Sequence, residues 1–72
     1  MNKEKILKSF GEKLKNERRK NGLSQLELAE KAKVGLATIS MAEIAQQDLT
    51  TKTLYKIAKA LDIEPYELLK FK

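Results

Sequence analysis

The residue types that most often carry enzymatic chemistry are missing from this sequence of 72 residues. It has no cysteine and no histidine, which excludes disulfides and thiolate nucleophiles and removes the usual general base. Most zinc sites need one of these two residue types. The remaining residues offer no paired carboxylates, no nucleophile with a base and no glycine-rich phosphate loop. We therefore expect no catalytic residues, no metal site and no cofactor.

Charge is the chemistry that remains. Fifteen Lys and Arg residues against ten Asp and Glu residues give a net charge of +5, which favours acidic partners, and nucleic acid is the commonest of these for a small helical domain. Residues 1–23 hold eight bases and three acids, whereas residues 34–51 hold two acids and no base. The basic surface is therefore built by the two ends of the chain. A solvated helix face with mixed Glu and Lys explains the amino-terminal run equally well.

Apolar spacing predicts five helices that position these charges. Helix 1 runs from Lys3 to Lys20 and ends at a left-handed stop supplied by Asn21-Gly22. The capping box Ser24-Gln25-Leu26-Glu27 starts helix 2, about residues 25–32. A tight turn leads to helix 3, about residues 36–44, and a fourth amphipathic helix follows. A fifth helix begins at Pro65 and ends near Lys70.

These elements predict an all-α fold, a compact five-helix bundle that forms one domain over residues 1–72. A chain of this length buries only roughly 60% of its unfolded surface, so dimerisation would add stability. No segment approaches the ~18 apolar residues of a membrane span, and no apolar run near the amino terminus could serve as a signal peptide. We expect a cytoplasmic protein that does not contact membranes.

The segment Leu23–Ala32, together with Val34, Thr38-Ile39-Ser40 and Glu43, resembles the lambdoid phage repressor and Cro family of helix-turn-helix DNA-binding proteins. The resemblance extends from Phe10 to Leu69. It implies a transcription regulator that binds double-stranded DNA with helix 3 in the major groove.

The resemblance also assigns roles to three polar residues. It implies that Gln25 fixes the start of helix 2 on a phosphate, which suits the free N–H groups and positive dipole end of a helix amino terminus. A merely solvated Gln25 is the alternative. The resemblance pairs Arg18 with Glu43, and Arg18 needs a partner in any case because it lies on the apolar stripe of helix 1. We interpret this pair as structural.

Helix 3 departs from the family pattern because its outer positions carry no Lys or Arg. Leu36, Ala37 and Met41 offer base edges only an apolar surface, so direct readout of sequence is expected to be weak. The predicted DNA-binding surface comprises Gln25, Lys33, Leu36, Ala37, Thr38, Ser40, Met41, Gln46, Gln47 and Lys52.

The end of helix 3 also departs from the pattern. Ala45 replaces the glycine that usually ends this helix, and the residues up to Gln47 are good or fair helix formers. A helix 3 that continues to Gln47 is therefore expected as an alternative. Ala37, Met41, Ile44 and Ala45 would then line one outward apolar stripe, which is more typical of a protein partner than of nucleic acid. Alternatively, some of these side chains turn inward beside the small Ala42.

The leading hypothesis is a small DNA-binding transcription regulator that binds a two-fold operator as a homodimer. Tyr66, Leu69 and Phe71 supply more apolar surface than a monomer of this length can cover, so we place the dimer interface there. The alternative is a protein-interaction module on the same scaffold, with a protein partner at the helix 3 surface.

Overall fold

A computed structural model describes residues 2–71 as five helices joined by short turns. No strand occurs within this range, so the expected all-α class is confirmed. The last helix is two residues shorter than expected. The helices are α1 (Lys3–Lys20), α2 (Gln25–Ala32), α3 (Leu36–Glu43), α4 (Thr51–Ala60) and α5 (Pro65–Leu68). None of these helices, within residues 2–71, has the length and apolar character needed to cross a membrane.

One hydrophobic core joins all five helices. α3 packs against α1 and α2, whereas α4 packs against α2 and α5, and α5 also contacts α1. Burial of one such aliphatic side chain contributes about 1.5 to 3 kcal/mol, so the core outweighs the weak propensities of the shorter helices. The largest side chains that are fully buried are Leu14, Leu28, Ile39, Ile57, Leu61 and Leu68.

The first four helices end in the same backbone geometry, the Schellman motif. In each, a residue with positive φ turns the chain, and the next residue donates its N–H to a carbonyl five residues earlier. These second donors are Leu23, Val34, Gln46 and Ile63, with N to O distances of 3.2, 3.0, 2.8 and 3.0 Å. The positive-φ residues are Gly22, Lys33, Ala45 and Asp62. Only the first of these is a glycine. A glycine at the end of a helical pattern therefore indicated only one of the four left-handed turns.

Helix 3 ends within one residue of the expected bound near residue 44, and the alternative in which it continues to Gln47 is wrong. α3 ends at Glu43, and Ala45 has a φ of 62° with its N–H donated to the Ala42 carbonyl over 3.2 Å. The chain turns here because Leu49, a few residues later, packs against the core. A straight helix would carry Leu49 away from that position. Helix propensity over this segment is therefore overridden by tertiary packing.

Replacing Ala45 with glycine is expected to raise the free energy of unfolding by about 1 kcal/mol, because the left-handed conformation costs an L-residue about that much. Urea denaturation checks this prediction. Gly22→Ala is the matched control, since Gly22 has a φ of +68° and a Cβ added there would meet only open space. It should lose a similar amount. A destabilised Ala45→Gly variant would contradict the prediction.

Candidate nucleic-acid interface

The amino terminus of α2 is held by the capping box that the sequence predicts. The Ser24 hydroxyl accepts the Glu27 N–H over 3.0 Å, and the Ser24 N–H donates to Glu27 Oε1 over 2.8 Å. Hydrogen bonding of the Glu27 carboxylate to the Ser24 backbone N–H, and then to the Ser24 side chain, holds the pKa of Glu27 below its ordinary value. The ionised carboxylate also suits the positive end of the helix dipole. The start of α2 is thus fixed in position.

The side chain of Gln25 lies against α3. Its Nε2 donates to Glu43 Oε1 over 3.0 Å, and the residue is half-buried. This contact was not anticipated from the sequence. A primary amide carries a second N–H and a carbonyl oxygen, and the first backbone N–H groups of a helix have no intrahelical acceptor. The phosphate contact of Gln25 stays a prediction. The second amide N–H and the free backbone N–H groups are the donors that would form it.

Arg18 and Glu43 lie together and form a bidentate pair. Arg18 Nε and Nη2 donate to Glu43 Oε2 and Oε1 over 2.6 and 3.0 Å, and both residues are 8% exposed. Nη1 donates to the Leu23 carbonyl over 2.7 Å. The hydrogen bonds to Glu43 raise the pKa of Arg18 above its ordinary value. Together with Gln25, this cluster connects α1, the start of α2 and the end of α3.

Gly11 allows α1 and α3 to approach closely, and sequence reasoning missed it. A Cβ at this position would lie 2.6 Å from the Ala42 carbonyl oxygen and 2.7 Å from that of Glu43. Both obstacles are backbone atoms, so neither can rotate away. The small Ala42 is itself 1% exposed. A glycine inside a helical pattern was the available signal, because it costs about 1 kcal/mol and usually has a packing reason.

The outer face of α3 is apolar and exposed. Leu36 is 47% exposed and Met41 is 40% exposed, and Ala37 lies between them in the open. Thr38 is half-buried. Ser40 is also half-buried, and its hydroxyl donates to the Ala37 carbonyl over 3.4 Å. α3 itself contains no Lys or Arg.

The expected stripe of four apolar residues does not persist past the end of α3. Ile44 at the helix end is 65% exposed, whereas Ala45 is half-buried in the turn. Ile44 therefore does not turn inward to fill space beside Ala42. The apolar surface that remains on α3 consists of Leu36, Ala37 and Met41, with Ile44 at its border.

Basic residues lie at both ends of α3. The exposed Lys33, at the end of α2 in the turn that leads to α3, lines one groove with Lys31, Lys56 and Lys59. Beyond the other end, Gln46 lines a cleft with α1 in which Lys8 and Lys15 lie together with Glu4 and Glu12. Two further predicted contacts lie nearby in the chain: Gln47, which is half-buried, and Lys52, which is exposed in the first turn of α4. Four lysines thus line the groove beside the turn before α3, whereas the cleft beyond the end of α3 holds both lysines and glutamates.

The three residues assigned to a dimer interface differ in exposure. Tyr66 and Leu69 are 63% and 54% exposed. Phe71 is instead half-buried and packs against the core, which leaves less of its surface for a partner than expected. Ile6, which sequence reasoning missed, is 42% exposed and lines the same apolar cavity of about 90 Å³ as Leu69 and Phe71.

The sequence of this chain is similar to a known protein family over most of its length. The family model HTH_3, described as helix-turn-helix, matches residues 14–68. No curated protein sequence matches the chain.

Solved structures with the same fold include three regulators. The restriction-modification controller protein C.AhdI from Aeromonas hydrophila is 37% identical, with a TM-score of 0.84 over 86% of this chain and 94% of that protein. An HTH_3 family transcriptional regulator from Vibrio cholerae is 27% identical, with a TM-score of 0.87 over 93% of this chain and 38% of the other. The clp gene regulator ClgR from C. glutamicum is 23% identical, with a TM-score of 0.81 over 89% of this chain and 83% of that protein, and it shows the shared fold alone.

Proposed function

This chain belongs to the HTH_3 family of helix-turn-helix proteins, and on that basis we propose that it regulates transcription by binding duplex DNA as a homodimer, with α3 in the major groove. The carrying observation is the groove beside the turn before α3, which Lys31, Lys33, Lys56 and Lys59 line. Phosphates along one side of a major groove would meet these cations. A role like that of the restriction-modification controller C.AhdI fits this proposal. The protein would act in the cytoplasm and without catalysis.

The proposed binding mode separates affinity from sequence readout. Phosphate contacts supply most of the affinity of such proteins and carry no sequence information directly. On α3, the outer face lacks the Arg, Asn and Gln side chains that form bidentate contacts with bases. Only Thr38 and Ser40 carry side-chain hydroxyls there, and Ser40 already donates its hydroxyl to Ala37. We therefore expect weak direct readout by hydrogen bonds.

Binding to random duplexes is expected to be detectable at low salt and to fall steeply as salt rises. Each phosphate that a cation neutralises contributes about 0.9 to the slope of log K against log salt. A fluorescence-anisotropy titration against random and palindromic duplexes measures this slope. Lys33→Gln should lower it by about 1, whereas Lys70→Gln, after α5, should leave it unchanged. Tight, salt-insensitive binding to one operator would contradict the proposed mode.

We expect the homodimer to form through the α5 side of the molecule. α5 packs against α1 and α4, whereas α3 packs against α1 and α2, so this interface would leave α3 free. Two α3 helices would then lie about 34 Å apart, one turn of the duplex. Tyr66→Ser with Leu69→Ser should shift the protein toward monomer in sedimentation experiments. Tyr55→Ser, which changes a tyrosine on α4 that is 60% exposed, is the matched control. A monomeric unmodified chain at high micromolar concentration would contradict the dimer.

A protein-interaction module remains the second candidate, because Leu36, Met41 and Ile44 form an exposed apolar surface. A protein partner could cover this surface without any role for the flanking lysines. The salt titration separates the two functions. Absence of binding to every duplex at low salt would favour the protein partner, and salt-dependent DNA binding would favour the regulator.

A further inference from the structure

We propose that the outer face of α3 recognises the 5-methyl group of pyrimidine bases, through Leu36, Ala37 and Met41. This inference rests on the proposed DNA-binding function and names the feature of DNA that the same surface reads. Thymine and 5-methylcytosine both carry this methyl group at C5, which faces the major groove. The recognised chemistry is the methyl group, and the two bases are its alternative sources.

The geometry of α3 separates an inner face from an outer face. Ile39, Ala42 and Glu43 are buried against α1 and α2. Helical spacing places Leu36, Ala37, Ser40 and Met41 on the remaining face, at positions i, i+1, i+4 and i+5. Ser40 is the only one of these four with a polar side chain, and its hydroxyl donates to the Ala37 carbonyl. The outer face therefore presents mainly methyl and methylene groups and one thioether, with the hydroxyls of the half-buried Thr38 and Ser40 beside them.

Such a face discriminates among bases because it cannot form hydrogen bonds with their polar groups. Most groups that bases present in the major groove are hydrogen-bond donors or acceptors, and covering them with Leu36 or Met41 would leave them without partners, which is unfavourable. The pyrimidine 5-methyl group is apolar, so its removal from water is favourable. Apolar contacts of Ala and Thr methyl groups with thymine are an established mode of readout. Here apolar contacts would be the main mode.

The charges around this face favour DNA as its occupant. Lys33, in the turn before α3, lines a groove with Lys31, Lys56 and Lys59, whereas the cleft beyond the far end of α3 holds lysines and glutamates. An apolar protein partner would gain nothing from the four lysines of this groove, whereas a phosphate strand at the border of a major groove would contact them. The apolar face and the lysine groove beside the turn before it together match the methyl groups and the phosphates of a duplex.

Four duplexes of about two helical turns, the length that two half-sites one turn apart occupy, test the proposal. They are alternating dA·dT, its uracil counterpart, alternating dG·dC, and its 5-methylcytosine counterpart. Each pair differs only in the methyl group. Dissociation constants at low salt are expected to be lower for the methylated member, by about fourfold per contacted methyl group, given the usual benefit of burying one such group. A preference within the first pair alone would assign the readout to thymine.

Variants of two similarly exposed leucines connect the effect to α3. Leu36→Ser should reduce the ratio of dissociation constants within each pair, and Leu36→Ser with Met41→Ser should bring it close to one. Leu26→Ser, on α2, changes a leucine that is 51% exposed and should leave the ratio unchanged. Equal affinity within both pairs, with DNA binding retained, would overturn the methyl readout and leave the regulator standing. Undiminished ratios in the double variant would also overturn it, and failure to bind any duplex would contradict the proposed function itself.

Discussion

Replacing either Arg18 or Glu43 alone with alanine is expected to lower the free energy of unfolding by about 3 to 5 kcal/mol. The side chains are 10% and 2% exposed, so the remaining partner would keep its charge in a site that excludes most water. Loss of Glu43 would also remove the acceptor of Gln25. A 72-residue domain has a total stability of only about 4 to 11 kcal/mol, so these variants lie near the limit of folding. Urea denaturation of the single variants measures the loss.

A double-mutant cycle identifies the cause of this loss. Arg18→Met and Glu43→Leu are measured singly and together, and the double variant should cost much less than these two single losses added, because no charge is then left unpaired. Lys20→Ala is a control on a more exposed pair, in which Lys20 contacts Glu17 over 3.3 Å and is 72% exposed. It should cost less than about 1 kcal/mol. Additive losses in the cycle would reject the pairing of Arg18 with Glu43 as an energetic unit.

Gly11→Ala is expected to destabilise the fold by about 2 kcal/mol, although alanine is the better helix former. Alanine gains about 1 kcal/mol over glycine inside a helix. Overpacking costs about 1 to 3 kcal/mol and sometimes more, and the upper end applies here because the Cβ meets two backbone carbonyls below 3.0 Å. Relief of the clash requires α1 and α3 to separate. The separation would also strain the contact of Arg18 with Glu43.

A glycine-to-alanine substitution at an uncrowded position is the control for the packing clash. Gly35→Ala introduces a Cβ whose nearest neighbour is the Thr38 hydroxyl at 3.7 Å, an ordinary contact distance. It should cost at most about 1 kcal/mol, because Gly35 precedes α3 at a position where alanine is a poor cap. Denaturation midpoints compare the two variants. A neutral or stabilised Gly11→Ala protein would show that the helices adjust without cost.

Much of the local structure could be predicted from the chain alone. Apolar spacing gave the five helices, and the bounds of α1 and α2 agree with those expected. Ser24 and Glu27 form the capping box that their spacing predicts. The position of Arg18 on an apolar stripe indicated that it needs a partner. Each of these inferences depends on residues within one or two helical turns, for which intrinsic preferences and side-chain periodicity are strong guides.

Features that depend on residues far apart in the chain were decided by tertiary packing. Helix propensity favoured a longer α3, yet Ala45 adopts the left-handed conformation because Leu49 must return to the core. Gln25 of α2 contacts Glu43 of α3, and Gly11 of α1 lies close to the Ala42 carbonyl of α3, only because α1 and α2 both pack against the end of α3. The physical reason is the relative size of two free energies, that of local conformational preference and that of burial in the core. A residue's local preference is worth about 1 kcal/mol or less, whereas burial of a single large apolar side chain contributes about 1.5 to 3 kcal/mol.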